Sequence, residues 1–304
     1  MVGGCHRFRW QERSRYGEGE AFPVTQVNQQ GWAARKRSMR LPDDRPLAFI
    51  DSGGEGPVLL LLHGYSDSSR SFSLLEPCLQ GCRLVVPDLP GHGSSAAGDG
   101  LMVGDFADDI AALLADLGID RCVVIGHSMG AMVGMVLADR LASTVEALIL
   151  VSGTLRPAFP LSEPVTKAIL RLSDPIDPAD PFFDLWHAGP QPVDQTFLDP
   201  LRREAAAIPA NIWQGILQEF TRLDLTGTAR RISVPVLSIS GSEDTIFDSA
   251  QRTALISALQ KPQTVVLKGF GHNPHWEDPA QMALLIDRFL ARIQTTLSVC
   301  KPDG

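Results

Sequence analysis

The chain has 304 residues and a mass of 32.9 kDa; 44% of its residues are apolar and 20% charged, a globular balance that excludes a wholly disordered chain. No apolar run reaches the about 18 residues that a membrane-spanning helix needs. A net charge of −8 argues against nucleic acid as the main partner.

The charge is uneven. Residues 1–40 carry eight Arg or Lys against three Glu, a net of +5, which leaves 19 basic and 32 acidic residues, a net of −13, in the remainder. Residues 1–38 are polar, rich in Arg and Gln and without sustained periodicity. They are expected to form an N-terminal extension that is disordered, ahead of a domain starting near Met39. They hold no apolar core of about 7–15 residues, so a secretory signal is not expected. The five cysteines (Cys5, Cys78, Cys82, Cys122, Cys300) form an odd set without CxxC or metal-ligand spacing. Reduced thiols and a cytoplasmic location are expected.

From Met39 the pattern becomes regular. Leu47 to Asp51 reads as a short strand. Val58 to His63, Arg83 to Asp88, Arg121 to Gly126 and Val145 to Ser152 are continuous apolar runs, as in strands buried on both faces. Val234 to Ser240 and Thr264 to Lys268 continue the series. Between them, 103–117 has helical spacing (Phe106, Ile110, Leu113, Leu114, Leu117), and Met129 to Leu141 is a helix rich in small residues. Further helices are expected at about 247–259 and 278–294. Strands alternating with helices imply an α/β fold with a mostly parallel, doubly wound sheet.

Residues 154–232 break this rhythm. Ten prolines fall between Pro157 and Pro209, among amphipathic stretches such as 166–172 and 212–220. The interval is too apolar to stay unfolded and reads as a helical insertion between two strands. The expected organisation is therefore a core of 39–153 and 233–298 with a helical cap of 154–232.

Gly126-His127-Ser128-Met129-Gly130 is a G-x-S-x-G pentapeptide with a buried strand directly before it and a helix directly after. That is the setting of a nucleophile elbow, in which a sharp turn lifts Ser128 above the sheet edge. A serine needs a base. His272 lies in the loop after the last expected strand, at the same sheet edge, with His275 as competitor. Asp244, after strand 234–240, is the expected orienting acid, with Glu243 as neighbour. The order Ser128, Asp244, His272 is the one this architecture requires. Two backbone N–H groups should hold an oxyanion: that of Met129, and that of Tyr65 in His63-Gly64-Tyr65, with Ser66 as runner-up. His63, His92 and His127 read as structural.

Together, His63-Gly64-Tyr65, Asp88-Leu89-Pro90-Gly91-His92-Gly93-Ser94, the Ser128 pentapeptide, Gly241-Ser242-Glu243-Asp244 and Gly271-His272-Asn273-Pro274-His275-Trp276-Glu277 resemble the α/β-hydrolase superfamily over about 39–295. The resemblance is to its capped serine hydrolases. It implies catalysis by Ser128, His272 and Asp244 through an acyl-enzyme, with no metal or organic cofactor and a small-molecule substrate. Relatives that open epoxides or remove halides use an Asp nucleophile, where this sequence has Ser128. The lipase HGGG motif is absent. Cleavage of a small or medium hydrophobic carboxylic ester is the leading expectation. A carbon–carbon bond hydrolase or lactonase with the same triad, and a ligand receptor without turnover, are the alternatives. The aromatic residues of 154–232 are expected to divide between packing and the pocket wall, and Arg70 is a candidate for binding a substrate carboxylate.

Overall fold

The apolar runs become one sheet. The computed structural model describes residues 27–299. In chain order the first half comprises α1 (Gln29–Ala34), β1 (Arg37–Arg40), β2 (Pro46–Asp51), β3 (Val58–Leu62), β4 (Arg83–Pro87), α2 (Val103–Asp116), β5 (Cys122–His127), α3 (Met129–Arg140) and β6 (Val145–Val151). Five helices follow: α4 (Pro164–Arg171), α5 (Phe182–Trp186), α6 (Gln195–Ala206), α7 (Ala210–Phe220) and α8 (Thr226–Arg231). The chain then forms β7 (Val236–Gly241), α9 (Ser249–Ala258), β8 (Gln263–Leu267), α10 (Pro274–Glu277) and α11 (Pro279–Val299).

The strands form an eight-stranded sheet in the order β1-β2-β4-β3-β5-β6-β7-β8. The β1–β2 and β2–β4 pairs are antiparallel and the rest parallel. β5 lies between β3 and β6, with Gly126 beside Leu62 on one side and Leu150 on the other. The period-2 alternation explains the continuous apolar runs. Leu60, Leu62, Val124, Leu148 and Leu150 face a core shared with α2 and α3. Leu59, Leu61, Val123, Ile125, Ile149 and Val151 face the opposite core, closed by Met282, Ile286 and Phe289 of α11.

The expected start of the domain at Met39 falls too late. Arg37–Arg40 already pairs with β2, Met39 facing Leu47. Ahead of it, Trp32 is buried and its indole N–H donates to Ser69 Oγ at 3.2 Å. Lys36 Nζ reaches Asp88 Oδ2 at 2.7 Å. Residues 27–38 therefore belong to the folded unit. Their sequence gives little sign of it, because a six-residue helix is too short for periodicity and the strand Arg37–Arg40 is mostly exposed. The expected disorder of residues 1–26 lies outside the described residues.

Between β6 and β7 the chain leaves the sheet and returns at a narrow neck, where Leu225 N–H donates to Leu155 C=O at 3.0 Å. α4 to α7 lie within this excursion. α8 comes after the neck and packs on α3 and α9, with the core layer. The helical excursion thus ends some residues before the expected boundary at 232.

Candidate active site

Ser128 stands between β5 and α3 in the left-handed region, at φ 51° and ψ −113°. A non-glycine residue there stores on the order of 1–3 kcal/mol of strain, held by the surrounding structure. Ser128 N–H donates to Val151 C=O at 2.9 Å, which ties the turn to β6. The flanking glycines follow from close approach. A Cβ on Gly126 would sit 2.2 Å from the Gly130 carbonyl oxygen, and one on Gly130 would sit 2.0 Å from that of Leu62. Only glycine lets strand, turn and helix pack this tightly.

The structure brings the three expected side chains together. His272 Nε2 lies 3.0 Å from Ser128 Oγ, and His272 Nδ1 lies 3.0 and 2.9 Å from the two carboxylate oxygens of Asp244. An ionised carboxylate only accepts, so the proton sits on Nδ1 and Nε2 offers its lone pair to the Ser128 hydroxyl. Asp244 Oδ1 also accepts the N–H groups of Ile246 and Phe247 at 2.9 and 3.0 Å. Burial by itself would raise the Asp244 pKa. The adjoining His272 and these backbone donors outweigh it and hold the carboxyl below the ordinary range.

The competitors do other things. Glu243 is exposed and its carboxylate accepts from Ser242 Oγ at 3.1 Å. His275 is fully buried, with Nε2 3.0 Å from Ser71 Oγ, and burial beside His272 lowers it to about 3. His63 donates through Nδ1 to Gly64 C=O and accepts the Leu89 N–H at Nε2, both at 2.8 Å. Burial, with His92 nearby, lowers it to about 3. His92 donates through Nδ1 to Pro90 C=O at 2.9 Å and accepts the Ser66 N–H at 3.3 Å. These neutral rings join the loop after β3 to the loop after β4. His127 Nε2 donates to the His272 carbonyl at 3.0 Å, which steadies the loop carrying the base. All three are structural in position, as their sequence context suggested.

The two oxyanion candidates also separate. Ser66 N–H is engaged by His92, whereas Tyr65 N–H and Met129 N–H have no acceptor among the described residues. Met129 is the first residue of α3, so its amide has no intrahelical partner and carries the positive end of the helix dipole.

The Tyr65 side chain points into the helical excursion. Its hydroxyl donates to Trp213 C=O, and its ring meets those of Trp186, Trp213 and Phe220 edge to face, at 5.1–5.6 Å between centroids. Trp186 Nε1–H donates to Ser66 Oγ at 2.7 Å. Arg70 binds a carboxylate, but one of the protein. Its Nε and Nη2 reach Glu204 Oε1 of α6 at 2.8 and 2.5 Å, while Nη1 donates to the Gln29 carbonyl at 2.6 Å. Arg70 therefore fastens helical excursion, sheet edge and α1 to one another and is not free for a substrate.

A cavity opens above Ser128 and His272, under the helical excursion. Of the large apolar residues there, Phe159, Leu185, Trp186 and Phe220 line it. Phe182, Phe183, Phe197, Trp213, Ile216 and Leu217 are buried in cores instead. Three polar lining residues had no motif to flag them, Asp67, His187 and Thr245. Asp67 is buried, and burial pushes its carboxyl up to about 7. A hydrophilic residue two or three positions past His63-Gly64 was their nearest sequence signal for Asp67; for His187 there was only its place beside Trp186. Among the described residues no group of three or more His, Cys, Asp or Glu converges as metal ligands would.

Comparison with known proteins agrees with this fold. The family model for the alpha/beta hydrolase fold matches residues 57–279. The chain is 28% identical over 254 residues to the biotin biosynthesis bifunctional protein BioHC of Cellvibrio japonicus (strain Ueda107), covering 79% of this chain and 49% of that protein, so it spans about half the length of that relative. It is 28% identical over 262 residues to a pimeloyl-[acyl-carrier protein] methyl ester esterase of Nitrosospira multiformis, covering 81% and 96%. The crystal structure of the enol-lactonase from Burkholderia xenovorans LB400 superposes with a TM-score of 0.73 at 22% identity, over 84% of this chain and 99% of that one.

Proposed function

The chain belongs to the α/β-hydrolase fold family and is an enzyme of that family, and from that premise we propose that it is a serine hydrolase of small or medium hydrophobic carboxylic esters. The observation that carries this reading is the line Ser128 Oγ–His272 Nε2–His272 Nδ1–Asp244, with contacts of 3.0, 3.0 and 2.9 Å. His272 takes the Ser128 proton as Oγ attacks the ester carbonyl carbon. The oxyanion is held by the N–H groups of Tyr65 and Met129. His272 then passes its proton to the departing alkoxide, the carbon–oxygen bond breaks, and an alcohol leaves. Water, deprotonated by the same imidazole, attacks the acyl-enzyme, and the acid product leaves as the proton returns to Ser128. Asp244 stays ionised throughout and fixes the productive tautomer.

The helical excursion between Leu155 and Leu225 acts as the cap that shapes the substrate cavity. Its aromatic wall favours an apolar acyl or alcohol part. The free thiols Cys78 and Cys122 suit a reducing cytoplasm. No helix of the described residues is long and apolar enough to cross a membrane. The test is labelling with a fluorophosphonate probe and hydrolysis of p-nitrophenyl acetate and butyrate, on wild type and Ser128→Ala. Labelling and turnover should both vanish in the variant. A wild type that binds small ligands, gains thermal stability from them and turns over no ester is a receptor, and the proposal fails.

A further inference from the structure

We infer that the cavity contains a hydrogen-bonding subsite, formed by His187 of the cap and Asp67 of the loop after β3, that receives a neutral hydroxyl-bearing part of the substrate. The inference rests on the esterase reading and specifies its substrate class.

His187 ends α5 and lines the cavity. Both of its ring nitrogens are buried and neither makes a well-formed hydrogen bond, although the Phe183 backbone carbonyl stands close enough to raise the ring's pKa somewhat. A buried polar atom without a partner is costly, and a ring with two such atoms calls for a ligand. The ring is also held in place. It stacks on Phe183 with centroids 5.9 Å apart and planes 14° apart, and lies 6.0 Å from the Trp276 ring. Burial, with Arg202 nearby, lowers His187 to about 4, so at neutral pH the imidazole carries one proton. It then has one donor and one acceptor. A hydroxyl, which both accepts and donates, is its natural complement.

Asp67 supplies a second polar group to the lining of the same cavity. Trp276 Nε1 lies 3.0 Å from Ser71 Oγ, and Ser71 Oγ lies 3.2 Å from Asp67 Oδ2. Oδ2 stands 3.8 Å from His127 Nδ1, beyond hydrogen-bond reach, and that nitrogen has no other partner. The Asp67 carboxyl therefore keeps capacity for a substrate group. The stacked rings of Phe159 and Phe220, beside Tyr65, add apolar lining to the same cavity. No Arg or Lys lines the cavity among the described residues. Arg70 is paired with Glu204, and Arg202 is paired with Asp184 through Nη2 while its buried Nε has no partner. With no cation among the lining residues to receive an anionic substrate group, the subsite suits a neutral hydroxyl. The substrate class is an ester with one apolar part and one hydroxylated part.

Two matched pairs of esters test this: p-nitrophenyl 3-hydroxybutyrate against the butyrate, for the acyl side, and glycerol monobutyrate against propyl butyrate, for the alcohol side. Wild type should prefer the hydroxylated member of at least one pair by about tenfold or more in kcat/KM, as expected where a site is built to bond a hydroxyl. That ratio should fall toward one in His187→Leu and shrink in Asp67→Asn, with fluorophosphonate labelling of Ser128 reporting that each variant is folded. A merely structural role would depress both members of a pair alike and leave the ratio in place. Turnover of the plain esters without preference in either pair overturns the subsite and leaves the esterase reading standing. A preference that survives both substitutions also overturns it. Absence of labelling and of all turnover in wild type overturns both.

Discussion

Lys36→Met would remove the cation from a buried pair that fastens the first described residues to the sheet. The Lys36 and Asp88 side chains are 7% and 0% exposed. Asp88 accepts Lys36 Nζ at 2.7 Å and the N–H groups of Ser69 and Ser94 at 2.8 Å each. Burial alone would raise Asp88. Lys36, with the Ser69 and Ser94 donors, more than offsets this and holds it below the ordinary carboxylate range. Removing one partner of a buried pair strands the other charge and costs about 3–5 kcal/mol. At an m-value of about 3 kcal/mol per M, a loss of about 4 kcal/mol lowers the urea midpoint by about 1.3 M. The wild-type carboxyl has a depressed folded pKa, so its stabilisation is present above the unfolded value of about 3.9 and is lost as pH falls through the folded value. In Lys36→Met desolvation dominates and the folded value rises above the unfolded one. Destabilisation then grows as pH rises, so the midpoint shift should be smaller at pH 5 than at pH 8. Lys36→Met/Asp88→Asn, which removes the stranded charge, should recover part of the loss. The assay is urea unfolding followed by tryptophan fluorescence at both pH values. A midpoint at pH 8 within about 0.3 M of wild type would refute the reasoning, because a shift that small corresponds to about 1 kcal/mol.

Other substitutions probe the site and its frame. Asp244→Asn should keep the fold and lower kcat by about 10⁴-fold, because an amide stabilises the wrong imidazole tautomer; kcat near wild type would mean that another acid orients His272. Gly130→Ala should give little soluble protein, since the new Cβ would overlap the Leu62 carbonyl at 2.0 Å with backbone on every side; a normal melting temperature would mean the elbow is less tightly packed. Glu204→Ala leaves the buried Arg70 guanidinium without its carboxylate. It should cost about 2–4 kcal/mol and raise KM more than it lowers kcat, because it loosens the cap hinge and not the triad. Unchanged stability and KM would show that the Arg70–Glu204 contact does not fasten the cap.

The convergence of the candidate site residues was legible in the sequence because their positions are tied to local backbone geometry. A buried strand, a G-x-S-x-G turn and a small-residue helix placed Ser128 at a sheet edge. The rule that loops after parallel strands gather there then placed Asp244 and His272 beside it. The continuous apolar runs likewise announced strands covered on both faces. What the sequence could not carry was every relation set by long-range packing. Residues 27–38 joined the fold through single contacts, Trp32 with Ser69 and Lys36 with Asp88, and such contacts have no period to read. Arg70 was equally able to bind a substrate or a protein carboxylate until α6 brought Glu204 to it. Which of the Ser66 and Tyr65 amides is already engaged depends on His92, 26 residues on, which accepts the Ser66 N–H. His187 and Asp67, 120 positions apart in the chain, come to line one cavity only when the helical excursion lies over the sheet edge. Periodicity and turn chemistry are local properties written residue by residue; which buried polar atom finds a partner, and which is left facing a cavity, depends on distances between segments that only the folded chain sets.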